Sequence, residues 1–265
     1  MNKAKPIGII DTGIGGLTTV TELQNILPGE DIFYIGDSAR NPYGNRPPDE
    51  IIDMTCEMLG FLEKNEVKVV GVACNTISTF IDHYESRYGF PILGIVTPAC
   101  EEISKWDLPS VGVFATVATI QNGTYQHLIT QHNPKTKVVG QGSPRLGNLI
   151  DRGDFIQSEI DADIKEHVDK LLEMEPVKHI ILGCTHYPIV RANFERLYPG
   201  IEFINPARTQ AIAIRELLKS HDGLNEHKGG GEFIVCTTGD VNVYADVCKR
   251  LNCKTPDSIR FVELS

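Results

Sequence analysis

Two cysteines occupy matched places in this chain. The run Val69-Val70-Gly71-Val72-Ala73 leads into Cys74-Asn75-Thr76, and Ile180-Ile181-Leu182-Gly183 leads into Cys184-Thr185-His186-Tyr187-Pro188. Each apolar run reads as a buried strand, and open α/β sheets bind ligands just beyond the carboxyl ends of their strands. Two strands that each deliver a thiol to such an end predict one cleft with a thiol on either wall. A cysteine taken singly is more often a small buried hydrophobe. The matched positions, each followed by hydroxyl, amide or imidazole side chains, favour chemistry instead. Two thiols flanking a carbon form a base–acid pair, one removing a proton and the other delivering one to the opposite face. A free thiol with a pKa of ~8.5 is mostly protonated at neutral pH, so such a pair needs activating neighbours.

Two neighbours are at hand. His186 follows Cys184 by two residues, and Asp11 ends the strand nearest the first thiol. Either has an ordinary alternative, a satisfied structural histidine in one case and a helix N-cap in the other. Cys74, Cys184 and His186 with a water would also suit a catalytic zinc. No Cys-x2-Cys pair supports that alternative, and Cys248 and Cys253 are spaced wrongly for one. No metal is therefore expected. Gly13-Ile14-Gly15-Gly16 lacks the dinucleotide pattern Gly-x-Gly-x-x-Gly with its acidic residue downstream. Its expected task is to bring backbone N–H groups to a carboxylate at a helix N-terminus. No lysine sits where a Schiff base would form, so the expectation is a site with no cofactor.

The elements that must hold these residues follow a βαβα rhythm, which predicts parallel sheets with helices on both faces. Strands are expected over residues 7–10, 31–35, 69–73 and 91–96, with helices over 18–27, 48–63 and 77–87. The second half repeats the first. Residues 7–13 align with 111–117, and the helix end before the first cysteine strand aligns with that before the second. The offset is 104 residues at Asp11 and Ala115, and 110 at Cys74 and Cys184. A helix–strand–thiol unit used twice predicts two similar three-layer α/β domains related by a pseudo-twofold axis, with the site in the cleft between them. After Asn205-Pro206-Ala207 come a helix over 209–219, a polar loop over 220–231, a strand over 233–236, a helix over 241–251 and a strand over 259–264. These have no counterpart in the repeat, so the chain is expected to cross back and complete the first domain. That gives residues 1–97 plus 208–265 for one domain and 98–207 for the other.

Composition narrows the function. The 265 residues are 41% hydrophobic and 23% charged, the balance of a water-soluble globular chain long enough for a real core. A net charge of −10 argues against nucleic-acid binding, which needs a basic surface. No apolar run approaches the ~20 residues of a membrane span. The charged N-terminus runs straight into a strand and is not a signal peptide. Seven cysteines, an odd number, fit reduced thiols in the cytoplasm better than a disulfide framework.

The motifs Asp11-Thr12-Gly13-Ile14-Gly15-Gly16-Leu17, Asn41-Pro42-Tyr43-Gly44, Ala73-Cys74-Asn75-Thr76 and Leu182-Gly183-Cys184-Thr185-His186-Tyr187-Pro188 stand in an order and at separations that resemble the glutamate racemases. These are cofactor-independent members of the aspartate/glutamate racemase superfamily. The resemblance runs almost end to end, including Thr238-Gly239-Asp240. It implies Cys74 and Cys184 as the two acid/base residues, assisted by Asp11 and His186, with Asp151 as the carboxylate of the second domain. It implies further that Thr12 contacts the substrate, that Pro42, Tyr43 and Gly44 hold its side-chain carboxylate, and that Asn75, Thr76 and Thr185 hold its α-carboxylate. A small amino-acid substrate, a homodimer and the supply of D-glutamate for peptidoglycan are implied as well. The chain departs from the family pattern at Thr12 (usually Ser), Asp151 (usually Glu), Gly142-Ser143-Pro144 (where a Cys-Pro pattern is expected), Thr97 (often Glu) and Asn205-Pro206-Ala207 (usually Asp-Ser-Ala). These departures are expected to gather around the cleft and the domain crossing. They leave open a sister racemase or epimerase for another amino acid, or an amino-acid-binding protein without turnover. Retention of both thiols argues against the last, because binding alone needs neither.

Overall fold

The computed structural model describes residues 1–225 and 230–264. The chain begins with β1 (Ile7–Asp11), α1 (Leu17–Ile26), β2 (Ile32–Gly36), α2 (Pro48–Lys64), β3 (Val69–Val72), α3 (Asn75–Ser78) and β4 (Ile92–Gly94). It continues through α4 (Val96–Ser104), β5 (Ser110–Thr116), α5 (Val117–Asn122), α6 (Thr124–His132), β6 (Lys137–Ser143), α7 (Leu146–Asp151), α8 (Gln157–Met174), β7 (His179–Gly183), α9 (Arg191–Leu197) and β8 (Glu202–Ile204). It closes with α10 (Ala207–Ser220), β9 (Phe233–Thr237), α11 (Asn242–Leu251) and β10 (Ser258–Phe261). One sheet has the order β10-β9-β2-β1-β3-β4 and the other β6-β5-β7-β8. All their pairings are parallel. The order β2-β1-β3-β4 is thus repeated as β6-β5-β7-β8, and the extra strands β9 and β10 extend the first sheet on the β2 side.

Parallel strands are covered on both faces, which is why these runs carry little polar alternation. On one face of the first sheet Ile7, Ile9 and Val235 pack under α1, α10 and α11, through Leu17, Val20, Ile214, Leu218, Tyr244 and Val247. On the other face Ile10, Val70 and Val72 meet Ile51, Met58 and Leu62 of α2. The second sheet is layered likewise, with α7, α8 and α9 on one side and α4 and α6 on the other. Helix α2 buries residues 51, 54, 55, 58, 59 and 62, one stripe of a 3.6-residue period. Pro48 opens it, Asp49 and Glu50 lie in its first turn and Lys64 in its last, all suited to the helix ends.

The repeat extends to side-chain packing. A Cβ on Gly8 would meet Leu62, Val67 and Val70, and one on Gly112 would meet Leu171, Val177 and Ile180. Both glycines let a helix end press against the first strand of its sheet at the same relative place.

Three elements differ from expectation, one of them the last strand, expected over 259–264 and found at Ser258–Phe261. The helix expected over 77–87 is only the four residues of α3, followed by 3-10 turns at Ile81–His83 and Glu85–Arg87. Side-chain hydroxyls compete there with the helical ladder. Ser78 Oγ donates to the Val72 carbonyl, Thr79 Oγ1 to that of Thr76, and the Tyr84 hydroxyl to that of Ile77. The strand expected over 91–96 stops at Gly94, opposite Val72 where its one ladder neighbour β3 ends, and α4 starts at Val96, with Pro98 tolerated in its first turn. Residues 226–229 of the loop expected over 220–231 lie outside the described residues. All seven cysteines are free thiols. Among the described residues no helix is long and apolar enough to cross a membrane.

Candidate active site

The carboxyl ends of the two sheets meet at a cleft of about 630 Å³, its open mouth included. Cys74, at the end of β3, and Cys184, just past β7, line it together with Thr12, Pro42, Tyr43, Gly44, Asn75, Thr76, Thr185 and His186. Both thiols are 7% exposed. Asp11 and Asp151, the other two residues expected at the site, stand behind this wall and act on it through hydrogen bonds.

The Cys184 wall is a relay. Cys184 Sγ lies 3.7 Å from His186 Nδ1, and His186 Nε2 lies 2.9 Å from Asp151 Oδ1. Asn41 Nδ2 donates to the other Asp151 oxygen at 2.8 Å, and the Ile14 N–H donates to the same carboxylate. Burial alone would push Asp151 up, but the bonds from His186 and Asn41 hold it below the usual carboxylate range. Burial likewise works against a charged His186, yet its bonds to Asp151 and Cys184 raise its pKa well above the ordinary value. These bonds favour the charged form of His186, whose Nδ1 faces the Cys184 sulfur. Asp151, one methylene shorter than the usual glutamate, still reaches His186.

The Cys74 wall is built differently. Burial and the nearby Asp11 charge push the Cys74 thiol up, opposed by N–H groups of Ile77 and Thr76 at the start of α3. Asp11 is fully buried, which raises it to about 6, against the pull of His186 and its hydrogen bonds. Its oxygens accept from Gly13 N–H and from the Thr185 hydroxyl, both at 3.1 Å. The glycine-rich turn thus gives its N–H groups to carboxylates of the protein itself, Asp11 and Asp151. Its glycines also permit close approach to the second cysteine loop: a Cβ on Gly15 would lie 2.4 Å from Thr185 Oγ1, and one on Gly13 2.7 Å from Asp151 Oδ1.

Donors surround the space between the thiols. Asn75 accepts from the Tyr125 hydroxyl on Oδ1 at 2.6 Å, and its Nδ2 is buried in the cleft wall with no partner among the described residues. A buried unpaired donor is costly and calls for a ligand acceptor. Thr76, Thr116 and Thr119 join their hydroxyls across the cleft at 2.9–3.2 Å. Tyr43, in the loop that lines the cleft, is anchored by its hydroxyl to Asp37, which also accepts from Arg40 and Thr238.

Sequence reasoning missed Thr116, Asn41 and Tyr125. Thr116 had a signal: the internal alignment sets it opposite Thr12, 104 residues earlier. Tyr125 had none, because the partner it holds is 50 residues away. The departures do not all gather at the cleft. Ser143 and Pro144 line it beside Thr12, but Thr97 is exposed on α4 and Asn205 lines a separate groove with Arg208 and Trp106. Among the described residues no three His, Cys, Asp or Glu side chains are grouped to hold a metal.

Two strand-end thiols share one cleft between repeated parallel sheets, an arrangement suited to proton transfer at a carbon. The family model for Asp/Glu/hydantoin racemases matches residues 7–214, and the chain belongs to that family. It is 36% identical over 242 residues to the glutamate racemase of Carboxydothermus hydrogenoformans, covering 91% of this chain and 89% of that one. Among solved structures it is similar to glutamate racemase isoform RacE1 of Bacillus anthracis, with a TM-score of 0.90 at 28% identity over 99% of both chains. It is also similar to the Francisella tularensis glutamate racemase in complex with D-glutamate, with a TM-score of 0.89 at 30% identity, again over 99% of both chains.

Proposed function

We propose that this protein is a cofactor-independent glutamate racemase that interconverts L- and D-glutamate with Cys74 and Cys184 as its two acid/base groups. The observation that carries the reading is the pair of thiols on topologically equivalent strand ends, β3 and β7, lining one cleft. The glutamate-racemase relatives supply the substrate class. Bound glutamate presents its α-carbon between the thiols. In one direction Cys74, with Asp11 as the acceptor of its own proton, removes the α-proton while Cys184 protonates the opposite face, its proton restored through His186. The reverse direction exchanges the roles. The α-proton is weakly acidic, so the developing charge on the α-carboxylate needs preorganised donors. Asn75 Nδ2 and Thr76 are the donors offered there, with Thr185, whose hydroxyl hydrogen goes to Asp11, beside them in the cleft wall. Pro42, Tyr43 and Gly44 form the loop that meets the side-chain carboxylate, with N–H groups of Tyr43 and Gly44 as donors, and Thr12 bounds the pocket.

The two sheets are read as two domains, residues 1–97 with 208–265 and residues 98–207. A homodimer, a cytoplasmic location and the supply of D-glutamate to peptidoglycan are part of the same proposal. They rest on the family resemblance, and the dimer is checked by sedimentation velocity. The function itself is tested by racemisation of glutamate, aspartate, glutamine and alanine, followed by circular dichroism. A pocket whose fixed donors expect a carboxylate rejects neutral analogues steeply, whereas one methylene is worth only ~1–3 kcal/mol. Glutamate turnover exceeds that of aspartate, alanine is not turned over, and Cys74→Ala or Cys184→Ala abolishes racemisation with the fold intact. Retention of a tenth of the activity by either variant, or a preference for a neutral amino acid, contradicts the proposal.

A further inference from the structure

Helix α11 has no counterpart in the internal repeat, and one of its side chains reaches across to the loop that follows Asp151. The Arg250 guanidinium carbon sits 3.8 Å from the centroid of the Phe155 ring. Phe155 packs against the buried clusters of both sheets, touching the α1–α10–α11 layer on one side and the α7–α8 layer on the other. It holds a backbone φ of 49°, a left-handed conformation that is unfavourable for a bulky aromatic residue and persists only where surrounding contacts impose it. Gly153 supplies a second left-handed turn at φ 77°, and a Cβ there would approach Val243 of α11 to 3.9 Å. These turns immediately follow the carboxylate that bonds His186 Nε2 and Asn41 Nδ2.

We infer that Arg250 and Phe155 form a latch that positions Asp151, and through it His186, behind Cys184. The inference rests on the two-thiol reading above. Arg250 and Phe155 touch no reacting atom, so they are positioning residues. Their effect falls first on the Cys184 wall, because Asp151 and His186 stand behind it, whereas Asp11, the carboxylate serving Cys74, takes its hydrogen bonds from Gly13 and Thr185 and meets His186 only through charge. Arg250 is exposed, so replacing it does not empty the core.

A one-sided role has a signature that general loosening lacks. The enantiomers are equal in energy, so any variant must change kcat/KM equally in both directions. The primary isotope effect with each α-deuterated enantiomer, however, reports the wall that deprotonates it. Arg250→Met lowers kcat/KM about two- to fivefold, the reach of one solvent-facing cation–π contact. It raises the isotope effect for the enantiomer deprotonated by Cys184 and lowers it for the other. Phe155→Leu gives the same pair of opposite movements, and Arg250→Lys restores most of the rate. Unchanged kinetics, or a loss with both isotope effects unmoved, overturns the latch. Early solvent deuterium in the residual substrate of the wild type in D2O overturns the two-thiol reading itself.

Discussion

Asp11 shows how one buried residue trades stability for chemistry. Burial raises its carboxyl to about 6, far above an ordinary aspartate, and outweighs the opposing pull of His186 and its hydrogen bonds. A carboxyl raised in the folded state contributes stability that is full below the unfolded pKa of ~3.9 and is lost as pH rises through about 6. Asp11→Asn is accordingly more stable than the wild type at pH 7–8, by up to about 3 kcal/mol, and the difference closes towards pH 4. Urea denaturation across that range measures it. Activity moves oppositely. The wild-type kcat/KM falls below pH about 6 as Asp11 takes its proton, and the asparagine variant is slow at every pH. An advantage over the wild type no larger at pH 8 than at pH 4 contradicts this account of Asp11. The thiols were legible because two matched strand ends carry them, and His186 and Asp11 because they stand beside those ends in the sequence pattern. Tyr125 and Asn41 were not, since each matters through a partner brought near only by the fold, Asn75 for one and Asp151 for the other.

At the scale of elements, the turn from β1 into α1 is the tightest joint at the cleft. Its glycines were legible as punctuation, but their reason is the second cysteine loop lying against them. A Cβ on Gly15 would sit 2.4 Å from Thr185 Oγ1 and 2.9 Å from the Thr185 carbonyl carbon, so backbone must yield, not only a side chain. Gly15→Ala therefore displaces Thr185 and His186 and lowers kcat by at least about tenfold, since misplacing catalytic groups by an ångström is that costly. Far-UV circular dichroism stays that of the wild type. Wild-type kcat in this variant shows that the joint is not needed. Long helices and most strands read correctly because apolar period and end residues agreed, as in α2. The stretch after Cys74 misled because its apolar spacing is helical, while Ser78, Thr79 and Tyr84 spend their hydroxyls on backbone carbonyls. Composition reveals that such residues can do this, but not whether a carbonyl will be in reach.

At the scale of the molecule, hydrogen bonds joining the two sheets' segments at the cleft run between residues of the candidate site: Asn41 to Asp151, Asp11 to Thr185, Thr76 to Thr116 and Asn75 to Tyr125. Binding and closure are thus one network, and a ligand between the thiols meets groups from both halves at once. The duplicated strand order was legible because offsets of 104 and 110 residues recur in packing as well as in motifs. The task of α11 was not, since nothing in the first half resembles it. The central claim, two bases on opposite faces of one carbon, is tested by L-glutamate in D2O with product and residual substrate followed by proton NMR during the first turnovers. Two separate thiols deliver a solvent deuteron to the product while the remaining substrate keeps its proton. The account predicts D-glutamate fully deuterated at the α-carbon beside L-glutamate still protonated there. Early deuterium in the residual L-glutamate, or D-glutamate carrying the original proton, would point to a single base and contradict it.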